Sequence, residues 1–126
     1  MTEINEILKE MAADIPGLLS TSVVGMDGLA LANHVIAKDF DVEVACAQFA
    51  LVMKLVQKTS TQLKDSEVED NLVSTKKSYI LTRFLGDGGY YLGIAADKET
   101  ANLGNIRLIA RNYADTLWEA IPKRRK

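Results

Sequence analysis

The feature that most constrains this chain is a long stretch without helix breakers, from Phe40 to Lys64. It contains neither proline nor glycine and repeats apolar residues at helical spacing. This pattern predicts one helix of about 37 Å, at 1.5 Å per residue. Eight of its apolar side chains fall within an arc of about 120°, the width of an ordinary core-facing stripe. They are Val42, Ala45, Cys46, Phe49, Val52, Met53, Val56 and Leu63.

Three further apolar residues of this helix, Val44, Leu51 and Leu55, lie outside that arc. A helix that packs on one sheet buries a single stripe, so these side chains would form an exposed apolar patch typical of an interface. We predict that the helix packs beside its copy in a homodimer, because a two-fold contact is self-complementary. The alternative is that the first helix or the loop of residues 35–40 covers the patch.

The other elements follow from periodicity and turn residues on both sides of the long helix. A first helix begins near Thr2 and ends before Pro16, which lacks a backbone donor. Two strands follow, joined by a tight Asp27-Gly28 turn. Three later strands and a last helix are predicted at residues 68–75, 78–85, 90–96 and 99–121.

The strand at 78–85 shows how the sheet is covered. It presents Tyr79 and Leu81 to one face, and Ile80 and Phe84 to the other. Strands that are apolar on both sides are usually covered on both faces. The predicted fold class is therefore α/β (α+β), with a five-stranded antiparallel sheet sandwiched by helices in the order α-β-β-α-β-β-β-α.

Composition limits the possible partners and the cellular location. The net charge is -2 and the pI is about 5.4, whereas nucleic-acid binders usually have a basic excess. Cys46 is the single cysteine, which suits a reducing cytoplasm. No apolar run approaches the length of a membrane span. We expect a cytoplasmic protein with no nucleic-acid partner and no membrane partner.

No linker or repeat interrupts the sequence, so we expect a single domain over residues 1–126. Residues 123–126, "KRRK", are interpreted as a frayed basic tail of this domain. The alternative is that this tail binds anionic lipid, since basic clusters are attracted to such surfaces.

The glycine-rich segment 84–107 does not match a phosphate-binding loop. No glycine of the chain is followed by lysine, as a P-loop requires. The dinucleotide fingerprint fails because Gly86 and Gly88 would need a third glycine where Tyr91 stands. These glycines are predicted to form a turn between two strands. Gly104, inside the last helix, predicts a close approach of that helix to the sheet.

Catalytic and metal-binding residues are not apparent. His34 is the only histidine, and the hydroxyl residues of the neighbouring strand are interpreted as ordinary polar residues of a sheet, so a catalytic His34 is not expected. Cys46 lies on the apolar stripe of the long helix, where a buried, inert thiol is expected. One histidine and one cysteine make a poor zinc site. We expect no enzyme activity, no cofactor and no metal. Four carboxylates expected to be solvated are Asp65, Glu67, Glu69 and Asp70.

Two segments carry a resemblance to a known family. The hairpin "VVGMDGLALA" and the stretch "GDGGYYLGIAADKETANLGNIRLIAR", in this order of elements, resemble the roadblock/dynein light chain family, bacterial MglB-like members included. The most specific part is Asn102-Leu103-Gly104-x-x-Arg107, which opens the last helix.

The resemblance implies a profilin-like, homodimeric domain with no catalytic centre of its own. The long helices would lie side by side, and the third strand would pair across the two-fold. The implied partners are a second copy, a Ras-like small GTPase (MglA-like) and other roadblock-type proteins, and MglB-like dimers activate GTPases or promote nucleotide exchange. The implied dimer-interface residues are Val44, Gln48, Leu51, Leu55 and Leu72. The implied GTPase-facing residues are Glu43, Ala47, Ala50, Lys54 and Lys58.

The sequence is also compatible with two other functional hypotheses. Small-ligand sensor modules of the PAS or GAF type also combine an antiparallel sheet with flanking helices, and they keep a roomy pocket with convergent polar groups. A scaffold adaptor without any GTPase partner is the other hypothesis.

Overall fold

The computed structural model describes residues 2–64 and 67–122 of the chain. Within these ranges the elements follow the predicted order. Their bounds are α1 Thr2–Ala12, β1 Leu18–Gly25, β2 Ala30–Val35, α2 Val42–Leu63, β3 Asn71–Ser74, β4 Ser78–Leu85, β5 Tyr90–Asp97 and α3 Leu103–Ala120. The basic tail, residues 123–126, lies outside the described residues.

The strands form one five-stranded antiparallel sheet in the order β2-β1-β5-β4-β3. The hairpin β1–β2 joins the meander β3–β4–β5 through the pairing of β1 with β5. This arrangement confirms the predicted fold class and leaves β2 and β3 as the two edge strands.

Side-chain alternation in the central strands separates two cores. Val23 and Leu92 belong to a large cluster beneath α1 and α3. Their neighbours Val24 and Tyr91 belong to a smaller cluster beneath α2. The sheet is therefore sandwiched as predicted, with two helices on one face and α2 alone on the other.

Two predicted boundaries shift because local hydrogen bonds override the apolar pattern. The third strand begins at Asn71 rather than at residue 68, and the last helix begins at Leu103 rather than at residue 99. Before α3 the chain makes a turn in which the Ala101 N–H donates to the Asp97 carbonyl oxygen at 2.8 Å. Asn102 then caps the helix, and its Oδ1 accepts from the Asn105 N–H at 2.9 Å.

The predicted approach of Gly104 to the sheet is wrong. Gly104 is exposed in the first turn of α3. The nearest atom to a Cβ placed there is the capping oxygen of Asn102, at 3.2 Å. The glycine leaves room for the cap, and the sheet does not touch it.

The glycine-rich segment forms the turn between β4 and β5, as predicted. Gly86 has a φ of 55°, in the left-handed region that glycine adopts at low cost. The six-membered ring of Trp118, on α3, packs where a side chain at position 86 would lie. Within the described residues, the helices are too short or too polar to cross a bilayer.

Candidate partner-binding site

Helix α2 owes its limits to its end residues. Asp41 caps the N-terminus, with its Oδ1 accepting from the Val44 N–H at 3.2 Å. Lys64 ends the helix in a left-handed conformation, φ 54°, and its N–H donates to the Ser60 carbonyl oxygen. The 22 residues between these caps span about 33 Å. A rigid helix of this length offers a long surface on the outside of the sheet.

A small set of contacts attaches α2 to the sheet. Cys46, Ala50 and Met53 are its buried residues. The Tyr91 hydroxyl donates to the Cys46 carbonyl oxygen at 2.8 Å, and the Thr82 hydroxyl donates to the Met53 sulfur at 3.2 Å. These anchors fix which side of α2 faces outward.

The outward side carries an uncovered apolar row. Val44, Leu51 and Leu55 have 55%, 59% and 64% of their surface exposed, and Gln48 is exposed beside them. The alternative that α1 or the loop before α2 covers this row is therefore wrong. α1 packs on the opposite face of the sheet. We call Val44, Gln48, Leu51 and Leu55 the seam row.

The core-facing stripe of α2 is shorter than predicted. Leu63 was expected within it but is 71% exposed. The buried residues of α2 all lie between positions 46 and 53, and after Val56 only Ser60 is even partly covered. The C-terminal turns of α2 therefore contribute little to the core beneath the helix.

One residue implied for the GTPase-facing surface is misplaced. Ala50 is buried, with only 2% of its surface exposed, in the cluster beneath α2. Its position on the helix lies next to Cys46 and Met53, so it faces the sheet. It cannot line an outer surface.

Ala47 is exposed, and its small side chain also allows a close approach of the β1–β2 hairpin. Gly28, at the tip of the β1–β2 hairpin with a φ of 90°, lies so close that a Cβ on it would be 3.4 Å from the Ala47 Cα. The backbone that approaches Ala47 is therefore the protein's own. The hairpin tip is thereby held beside the N-terminal half of α2.

The charged residues implied for the GTPase-facing surface are Glu43, Lys54 and Lys58, and all are exposed. Both ion pairs found in residues 2–64 and 67–122 involve α3. The charges on α2 therefore have no ion-pair partner within those ranges and remain free to meet charges on another molecule.

Leu72, implied for the dimer interface, has its side chain on the face of the sheet opposite to α2. It lies on edge strand β3, opposite Leu81, and packs against the large core shared by α1 and α3. Its side chain is half-buried there. Any contribution of Leu72 to a dimer would come from its backbone.

The last residue of the family motif makes the best-formed ion pair of the described chain. The Arg107 Nε and Nη2 donate to the two carboxylate oxygens of Asp70 at 3.0 and 3.1 Å, and this pairing raises the pKa of the Arg107 guanidinium above its ordinary value. Arg111 contacts Glu69 at 3.2 Å. Asp70, whose side chain is only 10% exposed, is therefore not solvated as predicted. Glu69 is paired but remains 61% exposed, in keeping with the prediction. Asp65 lies outside the described residues.

The cavities do not favour a small-ligand sensor. A cavity of about 30 Å³ lies between α2 and the sheet, next to Cys46 and Tyr91. Ligand pockets are usually about 300–1,000 Å³ and mostly apolar. A larger groove of about 640 Å³, between α2, the β4–β5 turn and α3, is lined mainly by polar residues such as Gln57, Arg83 and Asp115. In the described part of the chain, neither cavity combines the size and the apolar walls of a ligand site.

The single cysteine is buried beneath α2, as predicted. Burial is the main cause that raises the pKa of the Cys46 thiol, which keeps it protonated and unreactive at neutral pH. Across the described ranges, histidine, cysteine and acidic side chains form no group that could hold a metal ion.

Comparison with solved structures defines the class of this fold. The Roadblock/LC7 domain from Streptomyces avermitilis is 15% identical, with a TM-score of 0.75 over 92% of each chain. The protein thus has a roadblock-type fold, as the sequence resemblance predicts.

Particular proteins with this fold are similar over nearly the whole chain. Myxococcus xanthus MglB is 17% identical, with a TM-score of 0.82 over 94% of both chains. An MglB structure with a tetrameric arrangement is 16% identical and has a TM-score of 0.83, covering 94% of this chain and 87% of the other. No family model matches the sequence, and no curated protein matches it.

Proposed function

We propose that this protein is a homodimeric, non-catalytic member of the roadblock family that regulates, or acts as an adaptor for, a Ras-like small GTPase of the MglA type. The observation that carries the proposal is the uncovered seam row on α2 of a roadblock-type fold. The proposed partner is cytoplasmic, and we propose the same location for this protein. Other roadblock-type proteins are proposed as further binding partners.

The seam row supports self-association through its chemistry and its spacing. Burying each of its three apolar side chains fully would contribute about 1.5–3 kcal/mol. The row is symmetric about the point between positions 49 and 50. In an antiparallel pair of α2 helices, Val44 would therefore meet Leu55, and Gln48 would meet Leu51. Such a pattern suits a two-fold axis, where each contact occurs twice.

The sheet offers a second contact beside the helices. β3 is an edge strand that is hydrogen-bonded only to β4. An unpaired edge is a template for another strand. We propose that β3 pairs with β3 of the second copy, so that the two sheets become one.

The proposed GTPase-facing surface consists of Glu43, Ala47, Lys54 and Lys58, without Ala50. Its three charged side chains are exposed and have no ion-pair partner in the described ranges. Charges of this kind commonly set the orientation and the association rate of a protein complex.

We propose that any effect on GTP hydrolysis comes from positioning the GTPase's own residues. An arginine finger must enter the phosphate site from an exposed position. The arginines in the described ranges are Arg83, Arg107 and Arg111, and each is hydrogen-bonded to Glu69 or Asp70. None of them lies on α2.

The proposal is tested with purified Ras-like GTPases encoded by the source organism. GTP turnover and nucleotide release are measured with and without this protein, together with direct binding. Lys58→Glu is expected to weaken binding at least tenfold, because it reverses a charge on the proposed surface. Lys9→Glu, on α1 at the opposite face of the sheet, is the matched control and should bind normally.

The outcomes separate the possible roles. A change in turnover or release defines an activator or an exchange factor. Binding without either change defines an adaptor. Absence of binding to every such GTPase, with the dimer intact, would refute the GTPase partner and leave a scaffold without one.

A further inference from the structure

The segment that leads from α2 into β3 is tied to α3 by one well-formed ion pair. Arg107 presents two parallel N–H groups to the Asp70 carboxylate, a geometry stronger than a single contact. The Asp70 side chain is only 10% exposed, against 41% for Arg107. A carboxylate so covered depends on its partner for the hydrogen bonds that water would otherwise supply.

Asp70 is the residue directly before β3, and β3 has few other supports. The strand is four residues long and pairs with β4 alone. None of its side chains is fully buried. The side-chain amide nitrogen of its first residue, Asn71, donates a hydrogen bond to the Thr82 hydroxyl oxygen at 3.2 Å. The entry into the strand is thus fixed by Asp70 on one side and Asn71 on the other.

We propose that Arg107 is a positioning residue for self-association: by holding Asp70, it fixes the edge of β3 that receives the second copy. The inference rests on the proposed dimer and adds to it a control point on α3, on the face of the sheet opposite to α2. A partner or modification that engages Arg107 would weaken the dimer without touching the seam row.

The neighbouring pair provides an internal control. Arg111 contacts Glu69 through one nitrogen at 3.2 Å, and the two side chains are 55% and 61% exposed. Exposed single contacts of this kind contribute little. Glu69 is also one residue further from β3.

The test compares Arg107→Gln with Arg111→Gln by sedimentation equilibrium over a range of concentrations. Arg107→Gln is expected to raise the dimer dissociation constant at least tenfold, and Arg111→Gln to change it less than threefold. Arg107→Lys keeps the charge but not the planar fork, so an intermediate value is expected. Amide exchange of residues 71–74 should be faster in Arg107→Gln than in the wild type when both are monomeric.

Each outcome has one meaning. The inference would be overturned if folded Arg107→Gln dimerised with the same dissociation constant as the wild type. It would also be overturned if the Arg107 and Arg111 variants changed the dissociation constant equally. In either case the proposed dimer would stand. A lower unfolding temperature with unchanged dimerisation would show a purely structural role and would also overturn it. If Arg107→Gln fails to fold, Arg107→Lys and Asp70→Asn decide by the same measurement. A monomeric wild type would instead refute the proposed function itself.

Discussion

At the scale of single residues, Gly86 shows how a turn predicted from sequence acquires a second role. The sequence predicts a turn glycine, and the structure adds that Trp118 of α3 lies against it. The glycine therefore allows both the left-handed backbone and the close packing of the helix end. The second requirement could not be read from the sequence, because the two residues are far apart along the chain.

Gly86→Ala is expected to lower the free energy of unfolding by more than about 2 kcal/mol. The left-handed conformation alone costs a residue with a Cβ about 1–2 kcal/mol, and Trp118 must also move. Gly89→Ala is the control, since a Cβ there approaches only the flexible Asp87 side chain, at 3.2 Å. Urea unfolding measures both. Equal losses in the two variants would contradict the role of Trp118.

Tyr91 gives a second residue-scale prediction, on alkaline stability. Burial, and to a smaller extent the charge of Cys46, raises the pKa of Tyr91 above its ordinary value, which is about 10. In the unfolded chain the phenol ionises first. The contribution of the un-ionised, buried Tyr91 to the free energy of unfolding is therefore complete below about pH 10, and it is lost as the pH rises above that value.

The free energy of unfolding should thus fall above about pH 10, the ordinary pKa of tyrosine. Tyr91→Phe cannot ionise, so its decline should be shallower, although its stability at pH 7 is lower by about 0.5–1.5 kcal/mol because a hydrogen bond is lost. Denaturant titrations between pH 8 and pH 11 would measure the slopes. Parallel slopes would refute the assignment to Tyr91.

At the scale of elements, regular stretches were predicted best. β4 has the predicted bounds, because turn residues flank it on both sides. The predicted start of α3 at residue 99 is too early because Asn102, the first residue of the family motif, caps the helix. β3 is shorter than its apolar pattern indicates. Asp70, directly before the strand, forms an ion pair with Arg107 on α3.

The candidate site was predicted in part for a related reason. Helical spacing separates Val44, Leu51 and Leu55 from the core stripe, and all three are exposed. The resemblance implied an outward position for Ala50, which is in fact buried, and helical spacing alone does not show how far the sheet extends on either side of that stripe. The pairing of Arg107 with Asp70 joins residues 37 positions apart, which spacing along one element cannot predict.

Leu51→Glu tests α2 as an interface element. A charge at the centre of the seam row should raise the dimer dissociation constant by at least tenfold, or about 1.4 kcal/mol. Leu108→Glu is the matched control, because Leu108 is 48% exposed but lies on α3, across the sheet. Size-exclusion chromatography with light scattering would detect the change. A dimer that tolerates Leu51→Glu as well as Leu108→Glu would rule out the seam row.

At the scale of the whole molecule, the proposed dimer links stability to concentration. A second copy that binds only the folded state stabilises it by mass action. The unfolding temperature should therefore rise as the protein concentration is increased from about 1 to 100 times the dissociation constant. Differential scanning calorimetry checks this, and an unfolding temperature that stays constant over this range would contradict dimerisation.

The strand order also limits how far such an assembly can extend. If β3 meets its own copy across a two-fold, that border is used in both molecules, and each retains only the border formed by β2. Growth into a continuous ribbon would then require a second kind of joint, β2 to β2. The strand order therefore favours an assembly that stops at two subunits. A filament could form only if the β2 edge strands of neighbouring dimers also paired with each other.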